Sequence, residues 1–200
     1  MRTAYQGVGN IVRFNWHFYL LALVGVCVGL VVAHWLGGGW WALGIIIAGG
    51  VLLTTFVSLI VSWYIYDHSD LYALNWLDPY PDARSILNIH AGFDETSALL
   101  AEKYPTAQLQ VMDFYDPALH TEVSIQRARR RYPPYPGTEA VNTGALPLVP
   151  DSIDVIFVLL SAHEIRDDDE RIHFFRQLKQ ALKLGGEIVS PNTSGTELIS

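Results

Sequence analysis

Two long apolar runs without Asp, Glu, Lys or Arg occupy the first third of the chain, at residues 18–36 and 40–66. Each run exceeds the ~18 apolar residues that a bilayer-spanning helix needs. A cleaved signal peptide has a single short apolar core, whereas here a Gly-Gly-Gly turn joins two long runs. The pattern therefore predicts a transmembrane helical hairpin over residues 1–66, with spans at about 16–36 and 40–65.

Aromatic and basic residues around the two spans predict their orientation. Trp and Tyr side chains favour the headgroup layer of a bilayer, and the ends of the spans carry Trp16, Tyr19, Trp35, Trp40, Trp41, Trp63, Tyr64 and Tyr66. Arg2 and Arg13 precede the first span, and the turn between the spans has no Lys or Arg. The positive-inside bias then places the N-terminus, and everything after the second span, on the cytoplasmic side of the cytoplasmic membrane.

Small residues in the first span leave two interpretations open. Gly25 and Gly29 form a GxxxG pair, a spacing that lets two helix backbones approach closely. The pair permits homodimerisation, but packing between the two spans of one chain is favoured. Cys27 lies in the same span and is the single cysteine, which excludes a disulfide framework and a cysteine metal site.

After residue 66 the chain becomes polar, and short apolar runs alternate with amphipathic stretches. Residues 67–84 are predicted to form a linker with a short helix ending near Leu77. The predicted strands are 85–89, 109–112, 140–146, 155–160 and 187–189, and the predicted helices are 95–103, 123–131 and 169–184. In the last helix the core face is assigned to Ile172, Phe175, Leu178 and Leu182, and Gly185 ends the helix. This alternation predicts an α/β domain over residues 85–200, with a doubly wound, mostly parallel sheet.

The net charge of −7 gives no basic domain for nucleic-acid binding. One basic cluster stands out, formed by Arg127, Arg129, Arg130 and Arg131. A solvated helix face is the favoured interpretation, and contact with anionic headgroups is the alternative.

Ligands of doubly wound sheets bind beyond the carboxyl ends of the strands, so the residues that follow each strand are the candidates. Gly92 follows the first strand, and the next helix begins with free N–H groups. Asp113 follows the second strand, 21 positions after Gly92. A carboxylate about 20 positions after the glycine turn accepts hydrogen bonds from ribose hydroxyls. The pattern therefore indicates a ligand that contains a nucleoside.

Four segments within residues 66–190 resemble the class I S-adenosylmethionine-dependent methyltransferases, in their small-molecule branch. LPLVPDSIDVIFVLLSAHEI resembles the family's LPF-x-D-x-SFD segment, ALKLGGEIV its LKPGG turn, and MDFYD the end of its second strand. SILNIHAGFDE stands in place of the glycine-rich first motif. There Asn88 replaces an acidic residue, His90 and Asp94 replace two glycines, and Gly92 is retained. The resemblance implies a Rossmann-like domain with S-adenosylmethionine as cofactor.

The resemblance also implies roles for individual residues. The cofactor-binding candidates are Asn88, His90, Gly92, Asp94, Asp113, Phe114, Thr143, Gly144 and Ser161. Among them Asn88 approaches the amino group of the cofactor, Asp113 holds the ribose, and Phe114 flanks the adenine. Thr143 and Gly144 border the adenine as well.

Two histidines have open roles. His90 either binds the carboxylate of the cofactor or caps the following helix. His163 is the candidate catalytic base, which is needed only for acceptors that must lose a proton; the alternative is a loop histidine that orders the end of the fourth strand. No two histidines have the spacing of a metal site, so no metal is predicted.

Residues 190–200 show little apolar periodicity, so the sheet is expected to be incomplete at its C-terminal end, lacking its last strands. Its open edge would then require a lost tail, a second copy or a membrane-protein partner. The favoured function is a membrane-anchored methyltransferase acting on a small, lipophilic or membrane-resident acceptor. The alternative is a non-catalytic accessory subunit of a membrane complex. A Rossmann-type oxidoreductase is disfavoured, because GxGxxG is absent.

Overall fold

A computed structural model describes residues 5–69, 74–77, 79–159, 161–192 and 195–199, with side chains to residue 190. The chain divides into two compact units, Met1–Trp76 and Leu77–Ser200. The short helix predicted before Leu77 lies partly outside the described residues, and residues 74–77 form a turn.

The described residues of the first unit form the α-helices α1 (Gln6–Phe14), α2 (Trp16–Leu36) and α3 (Gly39–Trp63). Helix α3 continues into a π-helical turn, Tyr64–His68. Helix α2 coincides with the first predicted span, and α3 with its π-helical turn contains the second. Both are long and apolar enough to cross a membrane, with mean hydropathies of 2.2 and 2.4. Only 6% of the most apolar stretch of each helix is buried within the protein, whereas a helix in a protein core is mostly buried.

The contact between α2 and α3 depends on a different glycine from the predicted one. A Cβ added at Gly44 would lie 2.6 Å from the Cβ of Ala33, so the two helices are in close contact there. Gly25 and Gly29 have no atom within 4 Å of an added Cβ. Gly25 and Gly29 line the groove between the two spans, but the closest approach of the helices is at Ala33 and Gly44.

Helix α1 was not predicted, and its first turn is completed by a residue from the far end of the unit. The backbone N–H groups of Gly7 and Val8 donate to the carboxylate of Asp67, at 2.6 and 2.8 Å. A carboxylate at this position satisfies N–H groups that have no partner within the helix, and it complements the helix dipole. Asp67 thus acts as a capping residue for α1 from 59 to 60 positions away.

In the part of the second unit that the structure describes, six strands form a sheet in the order β3-β2-β1-β4-β5-β6. Its strands are β1 (Ser85–His90), β2 (Gln108–Asp113), β3 (Glu139–Ala140), β4 (Ile153–Phe157), β5 (Leu182–Asn192) and β6 (Gly195–Ile199). Its helices are α4 (Ser97–Lys103), α5 (Val123–Arg131) and α6 (Asp168–Ala181). Strands β1 to β5 are parallel, and the strand order reverses between β1 and β4. This topology confirms the predicted doubly wound, Rossmann-like fold.

Strand β6 corrects the expectation that the sheet ends at its fifth strand. It runs antiparallel to β5, with Ile188 opposite Ile199 and Asn192 opposite Gly195. Residues 188–192 of β5 are therefore paired along that edge within the chain. The expected partner was argued from an unpaired β5 edge, and part of that edge is covered by β6 of the same chain.

Asp167 caps the start of helix α6, because its side chain accepts a hydrogen bond from the N–H of Glu170 at 2.8 Å. Its buried residues are Phe174, Leu178 and Ala181, all in the main hydrophobic core. The predicted core face is wrong at its start, because Ile172 is 57% exposed. The buried stripe is displaced around the helix from the one predicted.

The transition from α6 to β5 also differs from the prediction. Helix α6 ends at Ala181, and Leu182 already has extended backbone angles and pairs with Ile153 of β4. The register between β4 and β5 then shifts, and Gly185 adopts a φ of +82° in this irregular stretch. Gly185 therefore permits a bulge inside β5 and does not end the helix.

Asp154 joins the amino ends of three neighbouring strands. Its carboxylate accepts hydrogen bonds from the N–H groups of Arg84 and Ser85, at 2.9 and 2.8 Å, and from Lys183 Nζ at 2.9 Å. Burial alone would raise the pKa of Asp154, but these hydrogen bonds lower it below its ordinary value of 3.8. The ionised carboxylate therefore stabilises the edge of the sheet opposite the candidate site.

Candidate functional site

The carboxyl ends of β1 and β2 bring His90 and Asp113 side by side. The two residues are paired in the parallel ladder. His90 Nδ1 lies 3.6 Å from Asp113 Oδ1, and His90 Nε2 lies 3.8 Å from Asp94 Oδ2. Both distances exceed a hydrogen bond. The buried imidazole of His90 thus lies between the carboxylates of Asp94 and Asp113.

Burial lowers the pKa of His90 below its ordinary value of 6.5. The carboxylates of Asp94 and Asp113 raise it, but their effect is smaller, and the nearby Arg129 also lowers it. The imidazole is therefore held in its neutral form near neutral pH.

Asn88 and Asp94 order the start of α4. Asn88 Nδ2 donates to the hydroxyls of Thr96 and Ser97, at 3.0 and 2.7 Å. Asp94 Oδ1 accepts from the N–H groups of the same two residues, at 3.0 and 2.9 Å. The carboxylate therefore caps the first turn. The interpretation of His90 as the helix cap is wrong, because Asp94 has that role.

Four polar atoms in this cluster are buried and have no hydrogen-bond partner: Asn88 Oδ1, His90 Nδ1, His90 Nε2 and Asp94 Oδ2. Buried polar atoms are satisfied in the great majority of cases, so such a group indicates a ligand site. An amide oxygen and a carboxylate oxygen accept hydrogen bonds, and a neutral imidazole can accept one and donate one. The arrangement suits a ligand group that carries donors, such as an ammonium.

Gly92 lies in a tight turn that is covered by α5 and by the residues after β2. Its φ is +94°, which favours glycine. An added Cβ would lie 2.7 Å from Tyr115 Cδ2 and 3.2 Å from Ile125 Cγ2. A side chain at this position would therefore displace the Tyr115 ring.

Arg129 is a site residue that the sequence interpretation missed. Its Nη1 donates to the carbonyl oxygen of Gly92 at 2.9 Å and to Asp113 Oδ2, and its guanidinium lies 4.3 Å from the centre of the Tyr115 ring. The favoured interpretation, a solvated arginine, is wrong for Arg129. The signal was present in the sequence, because Arg129 follows Ile125 by one helical turn and so shares its face.

Both oxygens of Asp113 are engaged within the chain. Oδ1 accepts the N–H of Tyr115 at 3.0 Å, and Oδ2 accepts from Arg129. The side chain is 6% exposed, so water competes little for these bonds.

A cavity of about 390 Å³ lies beyond the ends of β2, β3 and β4. It is lined by Phe114, Tyr115, Asp116, Pro117, Leu119, His120, Val141, Asn142, Thr143, Glu164, Ile165, Arg166, Asp167 and Glu170. Of the residues predicted to border the adenine, Phe114 and Thr143 thus lie on its wall. Thr143 donates to Glu170 Oε1.

The candidates Gly144 and Ser161 lie outside this lining. Gly144 donates its N–H to Asn142 Oδ1 at 2.7 Å, which closes a local turn. Ser161 is buried, and its hydroxyl donates to the carbonyl oxygen of Ile89 at 3.0 Å. Ser161 thus links the end of β1 to the loop after β4.

His163 lies in a short 3₁₀ turn, Ala162–Glu164, and its side chain is 70% exposed. Its Nε2 is 3.1 Å from Glu164 Oε1, and Glu164 lines the cavity. No group of three His, Cys, Asp or Glu side chains in the described part of the chain has the geometry of a metal site.

No protein-family model and no curated protein sequence matches the chain. Solved structures similar to it include phosphoethanolamine N-methyltransferase 2 of Haemonchus contortus (20% identity, TM-score 0.42, 60% of this chain and 27% of that protein). Another is an S-adenosylmethionine-dependent methyltransferase of Leishmania major (21% identity, TM-score 0.44, 67% of this chain and 54% of that protein). A third is an amino pentose methyltransferase of Micromonospora echinaspora (19% identity, TM-score 0.41, 56% of this chain and 44% of that protein). The chain thus spans between 27% and 54% of the length of these three proteins.

Proposed function

We propose that the chain is a membrane-anchored, S-adenosylmethionine-dependent methyltransferase acting on a small, lipophilic or membrane-resident acceptor. The observation that carries the proposal is the group of unpaired, buried polar atoms of Asn88, His90 and Asp94 at the end of β1. They fit the ammonium of an amino acid moiety, and Asp113, at the end of the neighbouring strand, fits a ribose.

The remaining parts of the cofactor site follow from this assignment. Asn88 Oδ1 and Asp94 Oδ2 would accept from the ammonium, and a neutral His90 is compatible with a neighbouring cation. Asp113 would accept from a ribose hydroxyl, and the adenine would lie in the cavity beside Phe114. When bound, S-adenosylmethionine supplies a methyl group already activated on a sulfonium.

The protein has a limited chemical task, because an activated donor needs mainly positioning and exclusion of water. The buried side chains at the ends of β1 and β2 would supply both. His163 would serve as a base only for an acceptor that must lose a proton. Its exposure and its neighbour Glu164 are compatible with proton transfer to solvent.

The membrane assignment rests on the two apolar helices. Helix α2 and residues 39–68 expose most of their large apolar side chains, which favours a bilayer as their surroundings. We propose that the N-terminus and the second unit are cytoplasmic. Retention of the full chain in carbonate-washed membranes, with residues 85–190 digested by protease only in inside-out vesicles, would support this arrangement. Release by carbonate would refute it.

The decisive experiment is calorimetric titration of the detergent-solubilised full chain with S-adenosylmethionine and S-adenosylhomocysteine. Micromolar binding is expected, and Asp113→Asn should weaken it because one ribose contact loses its charge. Asp82→Asn is the matched control, because Asp82 is an exposed aspartate of the same unit. Absence of binding by correctly folded protein would refute the cofactor assignment.

A second function is favoured by one observation. The pairing of Arg129 with Asp113 blocks the ribose-binding carboxylate, as expected for an accessory subunit that keeps the fold without turnover. Incubation with S-adenosylmethionine labelled in its methyl group and a lipid extract separates the two functions. Transfer of label supports the enzyme, whereas binding without transfer to any extract supports the accessory subunit.

A further inference from the structure

Helix α5 crosses the candidate site and directs one arginine into it. Ile125 and Ala128 form the side of the helix that packs on the domain, and Arg129 lies one turn after Ile125. Its guanidinium reaches both the glycine turn after β1 and the carboxylate after β2. The neighbouring Arg130 is exposed.

We propose that Arg129 is an internal gate of the cofactor site, whose guanidinium occupies the Asp113 oxygen that a ribose hydroxyl requires. The inference rests on the proposed function and concerns the regulation of that same site. Asp113 Oδ1 accepts the N–H of Tyr115, and Oδ2 accepts from Arg129. Each carboxylate oxygen has two lone pairs, so the competition is for space. The Asp113 side chain is only 6% exposed, and the guanidinium covers the approach that a ribose hydroxyl needs. Binding therefore requires Arg129 to leave Asp113.

Arg129 and Asp113 differ in exposure, which allows the arginine to leave the carboxylate and return to it. The Arg129 side chain is 35% exposed and can turn into water, whereas Asp113 is 6% exposed and needs a replacement donor. Arg129 also leaves its stacked position on Tyr115, so the ring that covers Gly92 becomes free to move with it. The closed arrangement protects a buried carboxylate until ligand hydroxyls replace the guanidinium.

Removal of the gate should tighten binding. A charge-assisted hydrogen bond contributes a few-fold to about a hundredfold in an equilibrium constant, and the partial exposure of Arg129 reduces this. We expect Arg129→Gln to bind S-adenosylhomocysteine about tenfold more tightly than the wild type by calorimetry. Arg130→Gln, on the same helix, should leave the affinity unchanged. In an Asp113→Asn background Arg129→Gln should give little further gain, since the competition acts through that carboxylate.

A second variant separates an effect on binding from a loss of folding. Arg129→Lys keeps the charge, but a single ammonium lacks the planar fork of the guanidinium and stacks poorly on Tyr115, so it should also bind more tightly than the wild type. Thermal unfolding of each variant without ligand checks that the domain is intact. Tighter binding by both folded variants supports the gate.

The contrary outcomes separate the gate from the function it regulates. If the wild type binds and folded Arg129→Gln binds equally or less tightly, the gate is refuted and the cofactor assignment stands. If neither the wild type nor any gate variant binds, the proposed function is refuted, and the gate with it.

Discussion

Replacement of Gly92 by alanine tests the geometry of the turn that positions the candidate site. Two separate costs are expected. The backbone φ of +94° is unfavourable for a residue with a Cβ, which costs about 1–2 kcal/mol. The new Cβ would also lie 2.7 Å from Tyr115 Cδ2 and 3.1 Å from Tyr115 Cγ, close to the base of a rigid ring. Displacing that ring is an overpacking cost of about 1–3 kcal/mol. The sum is about 2–5 kcal/mol of lost unfolding free energy.

The chain offers a matched control for the backbone part of this cost. Gly137 has a φ of +83°, and nothing lies within 4 Å of a Cβ added there. Gly137→Ala should therefore cost about 1–2 kcal/mol from the backbone alone. The difference between the two variants isolates the contact with Tyr115.

The assay is urea unfolding of the detergent-solubilised full chain, with the folded fraction of the second unit scored by pulse proteolysis. The double variant Gly92→Ala, Tyr115→Ala should show a positive coupling, because removing the ring relieves the clash. Equal losses for Gly92→Ala and Gly137→Ala, together with additive effects in the double variant, would refute the proposed packing of Tyr115 on Gly92.

Three further predictions concern stability. Phe174→Ala should lower the unfolding free energy by about 3–5 kcal/mol in the same urea assay. Ile172→Ala should change it by under about 1 kcal/mol, because Ile172 is exposed. Similar losses for the two variants would contradict the assigned buried face of α6. Burial lowers the pKa of His90 in the folded state, so the neutral imidazole makes its full contribution to the unfolding free energy above pH 6.5. This contribution is lost as the pH falls through the pKa of the folded state. His90→Gln should therefore flatten the acid decline of stability that begins near pH 6.5, and an unchanged decline would exclude this role. The pKa of Asp154 is also lowered, so the ionised carboxylate stabilises the folded state above pH 3.8. The loss of unfolding free energy caused by Asp154→Asn should therefore shrink as the pH falls below that value. A loss that stays constant with pH would contradict the ion pair with Lys183.

Much of the architecture could be predicted because the relevant signals are local. An uncharged run of about twenty residues has few structural alternatives, so α2 and α3 were recognisable from composition. The alternation of apolar runs with amphipathic stretches likewise predicted the parallel sheet, and helix α5 was placed at its observed bounds, Val123–Arg131.

The remaining elements depend on distant partners. Helix α1 is nine residues long and contains two glycines, and its first turn is capped by a residue that follows α3. Strand β6 is defined by its pairing with β5, which a five-residue segment does not reveal by periodicity. The end of α6 was misplaced because Leu182 continues the apolar spacing of the helix while its backbone already belongs to β5.

The candidate site was predicted in part for the same reason. His90 and Asp113 end two neighbouring strands, and Asp94 lies in the turn after the first of them, so the pairing of β1 with β2 brings the three side chains together. Arg129 was missed, because a run of arginines suggests solvent and its partner Asp113 lies 16 positions earlier in the chain.

The hydrogen bonds between Asp67 and the first turn of α1 join the two ends of the first unit. The chain runs along α1, then out along α2 and back along α3, and Asp67 accepts from the N–H groups of Gly7 and Val8. A closure between residues some 60 positions apart would be entropically unfavourable in a free chain, but the pairing of α2 with α3 has already brought the two ends together. Loosening of the hairpin and release of α1 should therefore be a single event, so that the accessibility of α1 would report on the integrity of both helices.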